Sequence, residues 1–328
     1  MSIDIAVIPG DGIGPEVVQA ELAVLQATGL DFNFTSHPAG DDCLAQTGQA
    51  LPPQTLEAAQ RARAVIFGAA GQSAAQVILR LRAELGTFVN LRPSRAFPGV
   101  DCLHPGTDLT VVRENTECLY VGRESQPRPG VVEALRLISE EASLRIADYA
   151  FRYAREQGRS KVTVVHKANV LKMSDGLFLD CCRRVAKRYP EIEMEEALVD
   201  SVAMRMVMDP GQFQIMVTTN LFGDILSDLA AGLIGGLGLC PSANLGPEHA
   251  LFEPVHGSAP DLAGRGVANP AAAIMCGAML LEHLGEKHLA DRVNRALERC
   301  LAGGEVTPDL GGKLSTMEMA QAVIRHMG

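Results

Sequence analysis

Short apolar runs alternate with helix-patterned segments along most of this chain, and that alternation restricts its fold more than any other feature. Residues 3–8, IDIAVI, open the series. A near-continuous apolar run is the mark of a strand buried on both faces, as in a parallel sheet. The tight PGDGIGPE segment follows, and then a helix pattern over 15–27 with Val17, Val18, Leu22 and Leu25. Phe32–Phe34 suits a second strand. A helix near 53–61 leads into strand 63–68, and a helix over 74–85 into strand 87–91 ending at Arg92-Pro93. Further on the pattern reads strand 109–113, helix 139–157, strand 161–166, helix 175–188, strand 193–199, helix 201–208 and strand 213–218. Helices near 270–283, 287–302 and 315–325 close it. Such β–α alternation predicts an α/β protein with a mostly parallel sheet covered by helices on both faces. Pro93, Pro98 and Pro105 mark 94–107 as a loop and a lobe boundary. The irregular 121–136 reads as an excursion toward another subunit.

At 328 residues the chain is long enough for two lobes. Its net charge is −10, with no basic run to lie along phosphates, so no nucleic-acid partner is expected. An anionic small molecule needs only a local arginine cluster and stays open. Eight cysteines are scattered with no C-x-x-C, which suggests neither a zinc nor a redox motif. Adjacent Cys181 and Cys182 fit core thiols. The apolar runs near 229–240 and 271–281 are too short and glycine-rich to span a bilayer, so no membrane partner is expected. The opening MSIDIAVIPGDG has no basic segment or apolar signal core, and a cytoplasmic location is expected.

Several residues carry chemistry. Asp224 and Asp228 stand four apart on an apolar helix pattern, TTNLFGDILSDLAAGLIGGLG, and so share a face. A divalent cation such as Mg²⁺ or Mn²⁺ would turn their repulsion into attraction; a solvated helix edge is the plainer alternative. Gly10-Asp11-Gly12-Ile13-Gly14-Pro15 resembles a dinucleotide fingerprint, but the third glycine position falls on Pro15, so a tight turn stands level with a cofactor-facing role. Arg92 and Arg113 close strand patterns, where open α/β sheets bind ligands, and Arg82 lies on the preceding helix. Guanidinium forks suit carboxylates, which makes a polycarboxylate pocket plausible beside ordinary surface ion pairs. Tyr120 is an acid candidate if a cation lowers its pKa, and half-buried packing otherwise. Lys167 follows strand 161–166 in VHKAN and would serve as a base if desolvation or neighbouring cations lowered its pKa; His166 reads as structural. Asp200 ends strand 193–199, either as a third metal carboxylate or as the N-cap of the next helix. In His256-Gly257-Ser258-Ala259-Pro260-Asp261, backbone N–H groups could meet phosphate and Asp261 the ribose hydroxyls, or the segment is a capped loop.

Taken in order, GDGIGPE, NLRP, RENTE-x-x-Y, HKANVLK, TTNLFGDILSDLAAGLIGGLGL and EPVHGSAPDLAG-x-G-x-ANP resemble the β-decarboxylating dehydrogenases of the isocitrate and isopropylmalate type across essentially the whole chain. The resemblance implies a two-lobed isocitrate/isopropylmalate dehydrogenase-like fold, not a Rossmann fold. Residues 1–95 with 250–328 would form the NAD-binding lobe, and 96–249 the substrate, metal and dimerisation lobe. It implies a homodimer or homotetramer with shared active sites. Arg82, Arg92 and Arg113 would grip the malate-like carboxylates, with Asn169 beside them. Asp224 and Asp228, with Asp200 of a neighbouring subunit, would hold Mg²⁺ or Mn²⁺. Lys167, also from the neighbour, would be the base and Tyr120 the acid. Glu253, His256 through Leu262, and Asn269 would line the NAD site, with Asp261-Leu262 as the NAD-preferring form.

The RENTE motif resembles the homoisocitrate, isocitrate and tartrate members. The expected reaction is therefore NAD-dependent oxidative decarboxylation of homoisocitrate in lysine synthesis, with 3-isopropylmalate or isocitrate as alternative substrates. A non-catalytic regulatory subunit would be expected to lack one of Tyr120, Lys167 or the three aspartates, and all five are present. Three departures stand out. GAAGQSAAQ before Arg82 is several residues short of the family's usual loop. Ile78 and Leu79 fall where isopropylmalate enzymes carry an apolar pair, and helix geometry turns Arg80 roughly 100° away. Cys118 replaces the usual glycine.

Overall fold

The computed structural model describes residues 2–328. The elements run β1 (Ile3–Gly10), α1 (Gly14–Gln26), β2 (Phe32–Ser36), α2 (Asp41–Thr47), α3 (Pro53–Arg61), β3 (Ala64–Ala69), a π-helical turn (Ala75–Leu79), α4 (Arg80–Glu84) and β4 (Val89–Arg95). They continue with β5 (Asp108–Glu114), β6 (Glu124–Arg128), β7 (Val131–Ala134), α5 (Glu140–Glu156), β8 (Lys161–His166), α6 (Ser174–Ala186), β9 (Glu193–Leu198), α7 (Val199–Met208), β10 (Ile215–Thr218) and α8 (Asn220–Ile234). The chain ends with β11 (Pro241–Leu245), β12 (Ala250–Pro254), α9 (Ala271–His283), α10 (Lys287–Ala302) and α11 (Thr316–Met327).

Two compact units result. The first holds residues 1–87, 96–105 and 234–328, the second 88–95 and 106–233. In the first, the strand order is β2-β1-β3-β12-β11, all parallel except the antiparallel β11–β12 pair. In the second it is β4-β5-β10-β8-β9, all parallel except β4–β5. This is the mostly parallel α/β architecture that the alternation predicts. The unit limits differ from the expected lobe boundaries at three segments, and of these residues 96–105 go with the first unit. Residues 88–95 go with the second unit, because β4 pairs along its whole length with β5. Residues 234–249 go with the first, because β11 pairs with β12.

Burial explains the strands. Ile5 through Ile8 and Ala64 through Phe67 are each at most 3% exposed, so polar side chains have no place there. In the second unit, Val111, Val165 and Met216 from the strands pack with Val202 and Met206 of α7 and Leu226 and Ala230 of α8. That packing fixes α8 with its Asp224–Asp228 edge off the core. Region 121–136 is more regular than its sequence suggests: β6 and β7 form a two-stranded antiparallel hairpin, with β6 fully exposed. The predicted helix 74–85 is two pieces, the π-helical turn and then α4. All eight cysteines are free thiols, and Cys181 and Cys182 are buried.

Candidate active site

The second unit brings Arg92, Arg113, Tyr120, Asp224 and Asp228 together. Arg113, at the end of β5, is 1% exposed. Its Nε and Nη2 donate to Asn220 Oδ1 at 3.0 and 2.8 Å, and its Nη1 donates to Asp224 Oδ1. Gly223 makes room for its stem, because a Cβ there would lie 2.7 Å from Arg113 Cγ. Arg92 Nη1 donates to Ser227 Oγ at 2.7 Å and lies 3.3 Å from Asp224 and 3.5 Å from Asp228. Arg92 was expected at a strand's end; it is inside β4, opposite Val111. Pro93 does not stop the strand, which pairs with β5 through Arg95.

Tyr120 Oη donates to Asp224 Oδ2 at 2.5 Å, and the Arg113 guanidinium sits over its ring at 4.9 Å. Desolvation first, and the bond to Asp224 second, push the Tyr120 pKa up; Arg113 opposes them without prevailing. This corrects the expectation of a lowered pKa. A phenol that keeps its proton is a donor, which still suits an acid. Asp228 is also pushed up, by desolvation first, with Arg92 lowering and Asp224 raising it.

The donor set fits a hard divalent cation in part. Asp224 and Asp228 offer carboxylate oxygens on one helix face, each drawn to a guanidinium that an added cation would replace. Among the described residues no group of three or more His, Cys, Asp or Glu side chains gathers as a metal site. Asp200 is elsewhere engaged: its Oδ1 accepts from Lys167 Nζ at 2.6 Å, and that bond lowers its pKa. Asp200 is neither a strand end nor an N-cap, since α7 starts at Val199 with Leu198 as the cap. Lys167 thus meets a carboxylate rather than the cations expected beside it. Its backbone N–H donates to buried Asp175 at 2.6 Å, and Asp175 pairs with Arg136 at 2.6 Å. Asn169 is exposed. His166 is buried and its Nδ1 meets the Ala168 N–H at 3.1 Å, a structural role as expected.

The RENTE loop is built by its own acids. Glu114 accepts from the Thr116 and Glu117 amides at 2.8 and 2.9 Å, and Glu117 from the Ser139 amide and hydroxyl at 2.7 and 2.5 Å. Asn220 Nδ2 donates to the Glu117 carbonyl at 3.2 Å. Sequence reading missed Asn220, Ser227, Asp175 and Ser139. Asn220, Ser227 and Asp175 are polar and buried, and Ser139 is partly buried; their partners lie elsewhere in the chain, so no local pattern marks them.

The first unit carries the rest. Arg82 Nη2 donates to Glu253 Oε1 at 2.6 Å, and the same oxygen accepts from Asn244 Nδ2 at 2.6 Å, all three residues buried. The GDG turn is structural: Ile13 N donates to the Ser258 carbonyl at 2.9 Å, and a Cβ on Gly12 would lie 1.9 Å from that oxygen. Glu16, in the same motif, accepts from the Gly266 and Ala268 amides at 3.1 and 2.9 Å. The motif therefore shapes the 256–268 loop from behind. After Gly257, which is exposed, Ala259 takes a left-handed backbone at φ 38°, and Pro260–Leu262 form only a three-residue 3-10 turn. The expected helix start for phosphate is correspondingly reduced to that turn. Asp261 and Leu262 are exposed. His256 Nδ1 meets the Gly257 carbonyl at 3.1 Å, and burial lowers its pKa. Asn269 is buried, its Nδ2 donating to Asp309 at 3.0 Å and its Oδ1 accepting from the Ala271 N–H at 2.9 Å.

A model of the isocitrate/isopropylmalate dehydrogenase family matches residues 4–323. The chain belongs to that family. It is 57% identical to the 3-isopropylmalate dehydrogenase of Methanothermobacter thermautotrophicus, over 99% of both chains. It is 47% identical to the isocitrate/homoisocitrate dehydrogenase of Thermus thermophilus, over 100% of this chain and 99% of the other. Among solved structures, the isocitrate dehydrogenase of Methylococcus capsulatus superposes with a TM-score of 0.96 at 45% identity, covering 99% of each chain. The chain is a family-level decarboxylating dehydrogenase, and its α/β fold is that of these enzymes.

Proposed function

We propose that this family member oxidatively decarboxylates 3-isopropylmalate, with NAD as hydride acceptor. This revises the homoisocitrate reading drawn from RENTE, and with it the place in lysine synthesis. The single observation behind it is the wall formed before Arg82. Ile78 packs on the apolar core of the first unit and Leu79 is half-buried beside it. Arg80 is exposed and lies 3.9 Å from Glu84 on its own helix. An isopropyl group suits such a wall, whereas the extra carboxylate of homoisocitrate would be desolvated there without a partner. The 57% relative carrying the 3-isopropylmalate name supports the same choice.

In this reading Arg92 and Arg113 hold the two carboxylates common to all these substrates. Mg²⁺ or Mn²⁺ held by Asp224 and Asp228 would supply Lewis acidity at the substrate's hydroxyl and later keto oxygen. NAD bound along 256–262 would take the hydride. Lys167 Nζ receives the hydroxyl proton, and Tyr120 Oη returns a proton to carbon after CO₂ leaves. The scattered carboxylates support a second copy of the chain as the source of Lys167 and Asp200. Exposed Met173, Met208 and Val132 on the second unit, 90, 70 and 65% accessible, support an apolar contact there.

The test is NADH formation with 3-isopropylmalate, homoisocitrate and isocitrate, with NAD⁺ and NADP⁺, before and after chelation. The expected order in kcat/KM puts 3-isopropylmalate first by about tenfold or more, the value of one well-placed apolar or charged contact. A higher kcat/KM for homoisocitrate would overturn the reading.

A further inference from the structure

The Ile78–Leu79 segment on which the proposed substrate choice rests begins on an anchor built from two carboxylates. Asp11, after β1, is buried. Its Oδ1 and Oδ2 accept from the Asp41 amide at 2.8 and 2.9 Å, Oδ1 from the Asp42 amide at 3.4 Å, and Oδ2 from the Gly71 amide at 2.9 Å. Asp41, the first residue of α2, extends the chain. Its Oδ2 accepts from the Gln72 amide at 2.8 Å and its Oδ1 from the Ser73 amide at 2.7 Å. Two carboxylates therefore take the three successive amides 71–73. The fit is close: a Cβ on Gly71 would lie 2.1 Å from Asp41 Oδ2.

The next bonds belong to the wall itself. The Ser73 carbonyl accepts from the Gln76 and Val77 amides at 2.8 and 3.2 Å, so the π-helical turn grows from a clamped residue. That turn carries Ile78 and Leu79, and α4 carries Arg82 directly after it. Five π-helical and five α-helical residues are too short to be stable alone, so their placement is set by packing and by the anchored start. Packing on Val77, Leu81 and Leu85 holds one face. Charge-assisted bonds to a carboxylate, about twice as strong as neutral ones, hold the end.

We infer that Asp41 is a positioning residue for substrate selection: its carboxylate takes over the work of a longer loop by fixing where Ile78, Leu79 and Arg82 stand. The inference rests on the substrate reading above. Asp41 is half-buried, so its loss leaves the core intact.

Asp41→Ala removes both acceptors, and Asp41→Asn keeps the shape and one acceptor oxygen. Amide hydrogen exchange of residues 71–79 in the full-length, unliganded protein reads the clamp without catalysis. The kcat/KM ratio of 3-isopropylmalate to malate, which lacks the isopropyl group, reads the selection. In Asp41→Ala these amides are expected to exchange about tenfold faster, and the ratio to fall about tenfold through KM, with Asp41→Asn intermediate. Unchanged exchange overturns the inference, as does faster exchange with an unmoved ratio. Wild-type protein inactive on both malates would overturn the proposed function, and this inference with it; active wild type with an unmoved ratio in Asp41→Ala overturns this inference alone.

Discussion

Cys118 shows how much one side chain can leave unexplained until its backbone is known. It lies two residues before Tyr120, fully buried, at φ 72° and ψ −145°, a region that β-carbons disfavour by about 1–3 kcal/mol. Its amide donates to the Leu137 carbonyl at 2.8 Å, which ties the strained residue to the chain beyond β7. The family's usual glycine there is thus a backbone requirement, and the thiol adds burial at the cost of strain. Cys118→Ala keeps the strain and loses the sulfur, whereas Cys118→Gly releases it. Urea unfolding should find the glycine variant more stable than the alanine variant by about 1 kcal/mol, although it removes more side chain. The reverse order would mean that the strain is not there.

At the scale of elements, α1 packs on α9 around a buried acid. Glu21 is 1% exposed with neither carboxyl oxygen hydrogen-bonded, and burial raises its pKa well above the usual carboxylate range. The folded protein therefore keeps a proton that the unfolded chain gives up above about pH 4.3. With more protons bound when folded, stability falls as pH rises from there, by at most about 1.4 kcal/mol per pH unit, until the folded-state pKa is passed. Glu21→Met should raise neutral-pH stability by about 1–3 kcal/mol and remove this part of the slope. Denaturation curves at several pH values, with parallel slopes for both proteins, would refute it. On α8 the tight element is Gly223, pressed against the Arg113 stem. Gly223→Ala gains up to about 1 kcal/mol of helix propensity but displaces that arginine. Its kcat/KM should drop about 100-fold with the fold retained by circular dichroism, since a displacement near 1 Å at a positioning residue costs that much. Retained activity would show that Arg113 tolerates the shift.

At the scale of the whole molecule, the proposed reaction needs Lys167 and Asp200 beside Asp224 and Asp228, yet no three such carboxylates gather within the described chain. The proposed function answers that with two chains exchanging these groups. Lys167→Ala and Asp224→Asn variants, each inactive alone, should regain about a quarter of wild-type activity when unfolded and refolded together. Half the dimers are then mixed, and each mixed dimer has one intact site of two. Activity that stays near zero after mixing would place all these groups in one chain's site.

The alternation of apolar runs and helix patterns by itself determined the α/β class and nearly every strand and helix, because burial on two faces leaves only apolar residues in β1 and β3. It also singled out Arg92, Arg113, Asp224 and Asp228, since charged groups within or closing apolar segments require partners. What the residues could not say was how those groups are satisfied. Pairing of β4 antiparallel to β5 put Arg92 mid-strand, a choice made by partners distant in the chain. The direction of the Tyr120 pKa depended on whether burial or Arg113 prevailed, and only the packed environment sets that balance. The turns show the same division. Gly-Asp-Gly announced a tight turn, but its contact with the Ser258 carbonyl, and the capture of residues 71–73 by Asp11 and Asp41, exist only where folding brings segments about 30 to 250 positions apart within one hydrogen bond.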